Sequence, residues 1–163
     1  MPVYRIQFNR PTETKRLTPD PDALRVTGPC VPVVIEVPSA LARRFQREDR
    51  LIPDPISGYA MFDTGASITS VDRRVFERLQ LFPVGRTAVT TAAGQQLQSK
   101  YPGRLSFPGT PLPERDFAEL LGADLSGLQS DTGKSILALL GRDLLMDMIL
   151  IYDGRHATVT ITY

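Results

Sequence analysis

The chain holds one cysteine, one histidine and no tryptophan among its 163 residues. With Cys30 alone no internal disulfide can form, and nothing points to a secreted, oxidising setting. With His156 alone there is no Cys/His cluster for zinc. Any Ser-His-Asp or Cys-His triad would have to use that one ring, and no Gly-x-Ser-x-Gly elbow accompanies it. No apolar run reaches the length of a membrane span, and the N-terminal residues lack the apolar core of a secretory leader. Charge of either sign is not in excess: 19 Lys and Arg against 18 Asp and Glu leave +1. The signs are interspersed, so neither nucleic acid nor a membrane surface is an expected partner. No metal and no cofactor are expected, and a soluble cytoplasmic protein is the default.

What is present is an ordinary apolar fraction of 42% and many turn formers, 14 prolines and 12 glycines. At this length one domain with a sizeable core is expected. Few long helical periods occur, which favours a β-rich fold. Val3 to Phe8 alternates apolar and polar as a half-buried strand does. Residues 9–30 are polar and proline-bearing and read as turn or linker, so 1–30 is taken as an N-terminal strand and linker extension. Val31 to Val37 predicts a strand that Pro38 ends. Ser39 to Asp49 predicts a short helix with Ser39 as its N-cap, Leu41 and Phe45 on one face, and an Arg44–Glu48 pair. Asp72 predicts the cap of a helix running to Leu81, with Val75, Phe76 and Leu79 inward. Arg86–Thr91 and Gln95–Tyr101 predict a hairpin around Ala92, Ala93 and Gly94. Leu105–Phe107 and Asp116–Leu121 are further strands, residues 122–135 a loop, and His156–Tyr163 a C-terminal edge strand.

The chemistry centres on Tyr59-Ala60-Met61-Phe62-Asp63-Thr64-Gly65-Ala66-Ser67-Ile68. A short apolar run reads as a buried strand, and it delivers a carboxylate that is costly to desolvate without compensation. Gly65 then permits a tight turn and close approach of a ligand. Asp63 is thus presented from a rigid strand with little side-chain bulk beside it. Two decoys fail on context. Asp131-Thr132-Gly133 repeats the tripeptide, but it follows a mostly polar stretch and precedes Lys134. Gly133-Lys134-Ser135 lacks the glycine that a phosphate loop needs, because Leu128 stands there.

Asp63-Thr64-Gly65-Ala66 after an apolar strand resembles the active-site loop of the retropepsin-like, single-lobe aspartic proteases. Leu137 to Leu145, and within it Leu139, Leu140, Gly141 and Arg142, resembles that family's second apolar strand, glycine and short helix, which supports the loop. The resemblance spans 31–163, with an insertion at about 38–58 relative to the compact viral enzymes. It implies an all-β, barrel-like lobe with two or three short helices whose active form is a symmetric homodimer. It further implies Asp63 as the catalytic residue and Thr64 as the hydroxyl bonding across the dyad. Ala66 would floor the groove, and Ala92, Ala93 and Gly94 would tip a flap. Ser67 stands where the viral enzymes carry an aspartate that pairs with the arginine matching Arg142, so Asp72 or Asp143 is the expected substitute partner. The C-terminal strand is the expected dimer contact. The activity implied is peptide-bond hydrolysis of a polypeptide substrate; the alternative is a non-catalytic retropepsin-like peptide-binding or dimerisation module.

Overall fold

The computed structural model describes residues 2–91, 94–129 and 133–163. The chain is mostly β, as the sequence implies. In order it forms β1 (Val3–Gln7), β2 (Asn9–Pro11), β3 (Leu17–Pro19), α1 (Pro21–Thr27), β4 (Cys30–Glu36), α2 (Ser39–Arg47), β5 (Ile56–Phe62) and β6 (Ser70–Asp72). It continues with α3 (Arg73–Arg78), β7 (Gly85–Thr91), β8 (Gly94–Ser106), β9 (Arg115–Ala123), β10 (Ile136–Leu140), α4 (Arg142–Leu145), β11 (Ile149–Asp153) and β12 (Thr158–Thr162). No helix among the described residues is long and apolar enough to cross a membrane.

The main sheet runs β4-β5-β10-β6-β9-β8-β7, and β4 also pairs with β8. That extra pairing closes the sheet into a barrel and leaves β7 attached only along β8. Period-two alternation fills the interior. Val31, Val33 and Ile35 of β4, Ala60 and Phe62 of β5, and Ala138 and Leu140 of β10 are all buried. The chain also closes the core from outside the barrel, through Phe8, Leu24 and the inward residues Val159 and Ile161 of β12.

Four local expectations change. Residues 9–30 are not a linker: β2 and β3 pair, and α1 follows. Asp20 caps α1 by accepting from the Ala23 amide at 3.1 Å, and Pro21 sits in the first turn, where its missing N–H costs nothing. Ser39 is inside α2 instead of capping it, since the carboxylate of Asp116 on β9 takes the Ser39 amide at 3.1 Å. The Arg44–Glu48 pair forms as expected, at 2.7 Å. The segments Gln95–Tyr101 and Leu105–Phe107 belong largely to one strand, β8, whose register against β9 shifts between Tyr101 and Gly103. Pro102 cannot donate to a ladder, so a bulge is where a strand can hold it.

The fourth change concerns the C-terminal strand. The second sheet has the order β1-β12-β11, so β12 is central and hydrogen-bonded on both sides within its own chain. It is therefore no open edge. The reason lies outside its own alternation: Val3–Gln7 returns to pair with it over its full length.

Candidate active site

Strand β5 is hydrogen-bonded between β4 and β10 and ends at Phe62, so Asp63 emerges from the barrel wall. The parallel register of β10 sets Leu140 opposite Phe62. The Asp63 amide then donates to the Leu140 carbonyl at 3.0 Å, which fixes the backbone of the half-buried aspartate. Its carboxylate is held by the turn that follows. Oδ1 accepts from the Gly65 amide at 2.9 Å and from the Ala66 amide at 3.3 Å. Oδ2 accepts no bond among the described residues. One oxygen is thus pinned and the other is left to water or substrate.

The loop is clamped from the β10–α4 side. The Arg142 amide donates to the Ala66 carbonyl at 2.9 Å, and the Asp143 amide donates to the Ser67 carbonyl at 3.2 Å. Gly141 permits this close passage, because a Cβ there would lie 2.6 Å from the Ile68 carbonyl carbon and 2.8 Å from the Thr69 nitrogen. No side chain can occupy that space without moving backbone.

The side chain of Arg142 does not pair with Asp72 or Asp143. Its Nη1 donates to the carbonyls of Thr64, at 2.7 Å, and Gly65, at 3.1 Å, on the exposed side of the loop. Both carboxylates are engaged elsewhere. Asp72 binds the Arg74 guanidinium at 2.9 Å and 2.6 Å, and this bond, with the Arg74 and Leu125 amides, holds its carboxyl below the usual carboxylate range. Asp143 accepts from the Thr69 amide, at 2.9 Å to each oxygen, and from the Thr69 hydroxyl at 2.7 Å.

Thr69 is the residue that sequence reading missed. It is fully buried, and its hydroxyl also accepts from the Gly141 amide at 3.0 Å. One hydroxyl therefore links the end of the Asp63 loop, the glycine and the start of α4. The available signal was a polar residue two positions before the apolar Val71 on a strand whose neighbours are buried; such a residue needs partners.

Thr64, Gly65 and Ser67 are exposed and Ala66 is half-buried in the isolated chain. Leu139 is half-buried on β10, and Leu140 is buried beneath the loop. Strands β7 and β8 form a hairpin whose register runs from Gly85 opposite Lys100 to Thr91 opposite Gly94. Gly94 has φ of +107°, a conformation that favours glycine. Ala92 and Ala93 lie outside the described residues, as do Asp131 and Thr132. No group of three or more metal-ligating side chains occurs among the described residues.

No family model matches the chain, and no curated protein matches it. Among solved structures, it is similar to the solution structure of simian foamy virus (mac) protease, at 18% identity over 71% of this chain and 91% of that one, with a TM-score of 0.40.

Proposed function

We propose that the protein is an aspartic endopeptidase that works as a symmetric homodimer. The observation that carries this is the mounting of Asp63: a strand-end carboxylate with Oδ1 held by two amides, on a loop clamped by Gly141, Arg142 and Asp143. Peptide hydrolysis by activated water needs a base for the water and an acid for the carbonyl oxygen, and one carboxyl cannot be both at once. A two-fold axis supplies the second, because it brings Asp63 of each copy together. Two carboxylates in contact share one proton. The ionised one takes a proton from water, whose oxygen attacks the peptide carbonyl. The protonated one gives its proton to the carbonyl oxygen. Collapse of the tetrahedral diol then breaks the C–N bond: one carboxyl of the dyad gives its proton to the leaving amine while the other takes a hydroxyl proton from the diol, which leaves a carboxylic acid and restores the single shared proton.

In this reading Thr64 bonds across the axis, Ala66 and Ser67 border the groove, and the β7–β8 hairpin closes over the substrate backbone. The test compares wild type with Asp63→Asn on a diverse peptide library between about pH 4 and 7, the range a shared proton implies. Asparagine is nearly isosteric and cannot hold the dyad's proton, so cleavage falls by at least roughly 10²–10⁴ with the fold retained. Equal cleavage by both proteins assigns the activity elsewhere. No cleavage by either, with no thermal shift from a hydroxyl-bearing transition-state mimic, leaves a peptide-binding or dimerisation module.

A further inference from the structure

Between β4 and β5 the chain inserts α2 and a return segment, residues 50–55, and the two border a groove of about 500 Å³. The groove is remote from Asp63: the return segment feeds the start of β5, and Asp63 leaves the other end of that strand, about 20 Å further on. The inner side of α2 is apolar, with Phe45 buried and Leu41 and Ala42 half-buried. Arg43, Gln46 and Arg47 share an exposed side. Arg44 and Arg50 share Glu48, at 2.7 and 3.4 Å, whereas Arg43 and Arg47 form no ion pair among the described residues. The facing wall is Ile52, Pro53, Asp54 and Pro55. Its two prolines fix φ, so it is stiff without being helix or strand. The backbone N–H groups of Leu51, Ile52 and Asp54 donate no hydrogen bond among the described residues, and Leu51 is 96% exposed. At the inner end Arg104 pairs with Glu36, Glu114 and Asp116, which leaves an excess of negative charge there.

We propose that this groove docks an extended segment of a partner protein with the pattern acidic, apolar, acidic. Charge complementarity selects the occupant: the two unpaired arginines of α2 stand along one rim, against one unpaired carboxylate, Asp54, on the other. Spacing selects the pattern. Arg43 and Arg47 are four residues apart on a helix, about 6 Å along its axis. Side chains i and i+2 of an extended segment point the same way about 7 Å apart, so two carboxylates of one segment meet both guanidiniums. The residue between them points to the opposite wall, where Ile52 and Pro53 present apolar surface. The unpaired N–H groups of Ile52 and Asp54 meet the segment's carbonyls, as an open strand edge does. The negative inner end keeps the acidic residues at the mouth, beside Arg43 and Arg47. The groove and its occupant are independent of the dyad, since no residue of the Asp63 loop borders them.

Fluorescence anisotropy of the full chain tests this with short labelled peptides that carry Glu-Leu-Glu in a Gly/Ser frame, against Gln-Leu-Gln, Glu-Ser-Glu and Lys-Leu-Lys. Two exposed charge pairs make Glu-Leu-Glu bind roughly fivefold to thirtyfold more tightly than Gln-Leu-Gln at low salt. Its apolar residue gives roughly tenfold over Glu-Ser-Glu. Arg43→Glu combined with Arg47→Glu inverts the preference, so that Lys-Leu-Lys binds best, and circular dichroism stays unchanged because both positions are exposed. Arg10→Glu combined with Arg16→Glu, on the β2–β3 hairpin, changes the net charge equally and keeps wild-type binding. Asp63→Asn binds like wild type, because the groove and the cleft are separate. A wild type with no preference for Glu-Leu-Glu, or with tightest binding to Lys-Leu-Lys, overturns the acidic partner. Equal losses in the α2 and hairpin variants reduce the binding to diffuse charge attraction and overturn the groove. A loss in Asp63→Asn with none in the α2 variant puts the peptide in the cleft and overturns it as well, while leaving the dyad reading intact.

Discussion

Replacing Gly141 by alanine isolates what the close passage of two backbones is worth. The φ and ψ of Gly141, −82° and −178°, are open to alanine, so the cost is contact alone. The new Cβ would meet the Ile68 carbonyl carbon at 2.6 Å, the Thr69 nitrogen at 2.8 Å and the Ile68 oxygen at 2.9 Å, whereas ordinary contact begins at 3.4 Å. All three are backbone atoms, so the loop and the β10–α4 junction must part by roughly 0.5–0.8 Å to restore normal contact. Such a shift takes the Gly141–Thr69 and Arg142–Ala66 bonds, now 3.0 and 2.9 Å, beyond good hydrogen-bond geometry. Overpacking costs about 1–3 kcal/mol. Loss of chain freedom in the unfolded state returns about 0.4–1 kcal/mol. The net is a loss of up to about 2.6 kcal/mol, a fall in Tm of up to about 10 °C for a domain of this size. Gly58→Ala is the control. Its nearest clashes, 2.5 and 2.6 Å, are with Cδ1 and Cγ of the half-buried Leu137, a side chain that can rotate away, and the nearest backbone atom, the Ser135 oxygen, is farther off at 3.2 Å. Scanning calorimetry of both variants, with hydrogen exchange at the Thr69 amide, reads the difference. If Gly141→Ala keeps the wild-type Tm and exchange, the clamp is not what orders the loop.

Three further variants probe separate parts. Arg142→Ala removes an exposed side chain, so Tm is expected to move little, while release of the Thr64 and Gly65 carbonyls lowers kcat by up to about 10²-fold; wild-type turnover would show that the arginine does not position the loop. Asp72→Asn tests acid stability. Because the Asp72 carboxyl is held low, its contribution is complete above the unfolded value of about 3.9 and is lost as pH falls through the folded value. A wild-type advantage of about 1–3 kcal/mol at neutral pH therefore shrinks on acidification, and urea midpoints showing a constant gap would refute it. Gly94→Val forces a stiff β-branched residue to φ of +107°, which weakens turnover with circular dichroism unchanged; normal kinetics on a peptide substrate would remove the hairpin from the cleft.

What the sequence made legible was whatever its own period encodes. The strand into Asp63, the apolar strand into Gly141, the hairpin and α3 with Asp72 as its cap all follow from alternation, turn residues and capping, and α3 is capped as expected, at 3.0 Å from Asp72 to the Arg74 amide. Long-range competition was not legible. Ser39 loses its capping role to Asp116, 77 positions away, and the C-terminal strand loses its edge to the N-terminal one. The same limit hid the Asp143–Thr69 lock, whose partners stand 74 positions apart. The partner of Arg142 was misread for a different reason: a carboxylate was sought for a guanidinium, and backbone carbonyls serve instead.

Strand β8 is thirteen residues long and belongs to two structures at once. Its first half carries the hairpin arm with β7, and its second half is barrel wall, paired with β4 and β9. The change of role falls at the bulge, where Tyr101 stacks on the buried Phe76 at 4.3 Å and a Cβ on Gly103 would touch Leu120 at 2.7 Å. Mechanically this is a lever with its fulcrum set in the core. The arm's base is gripped before the bulge as well, because Lys100 and Tyr101 still pair with Leu121 and Leu120 of β9. The Phe76–Tyr101 stack thus ties the base of the arm to the core, so a change at Phe76 would reach the hairpin without touching it.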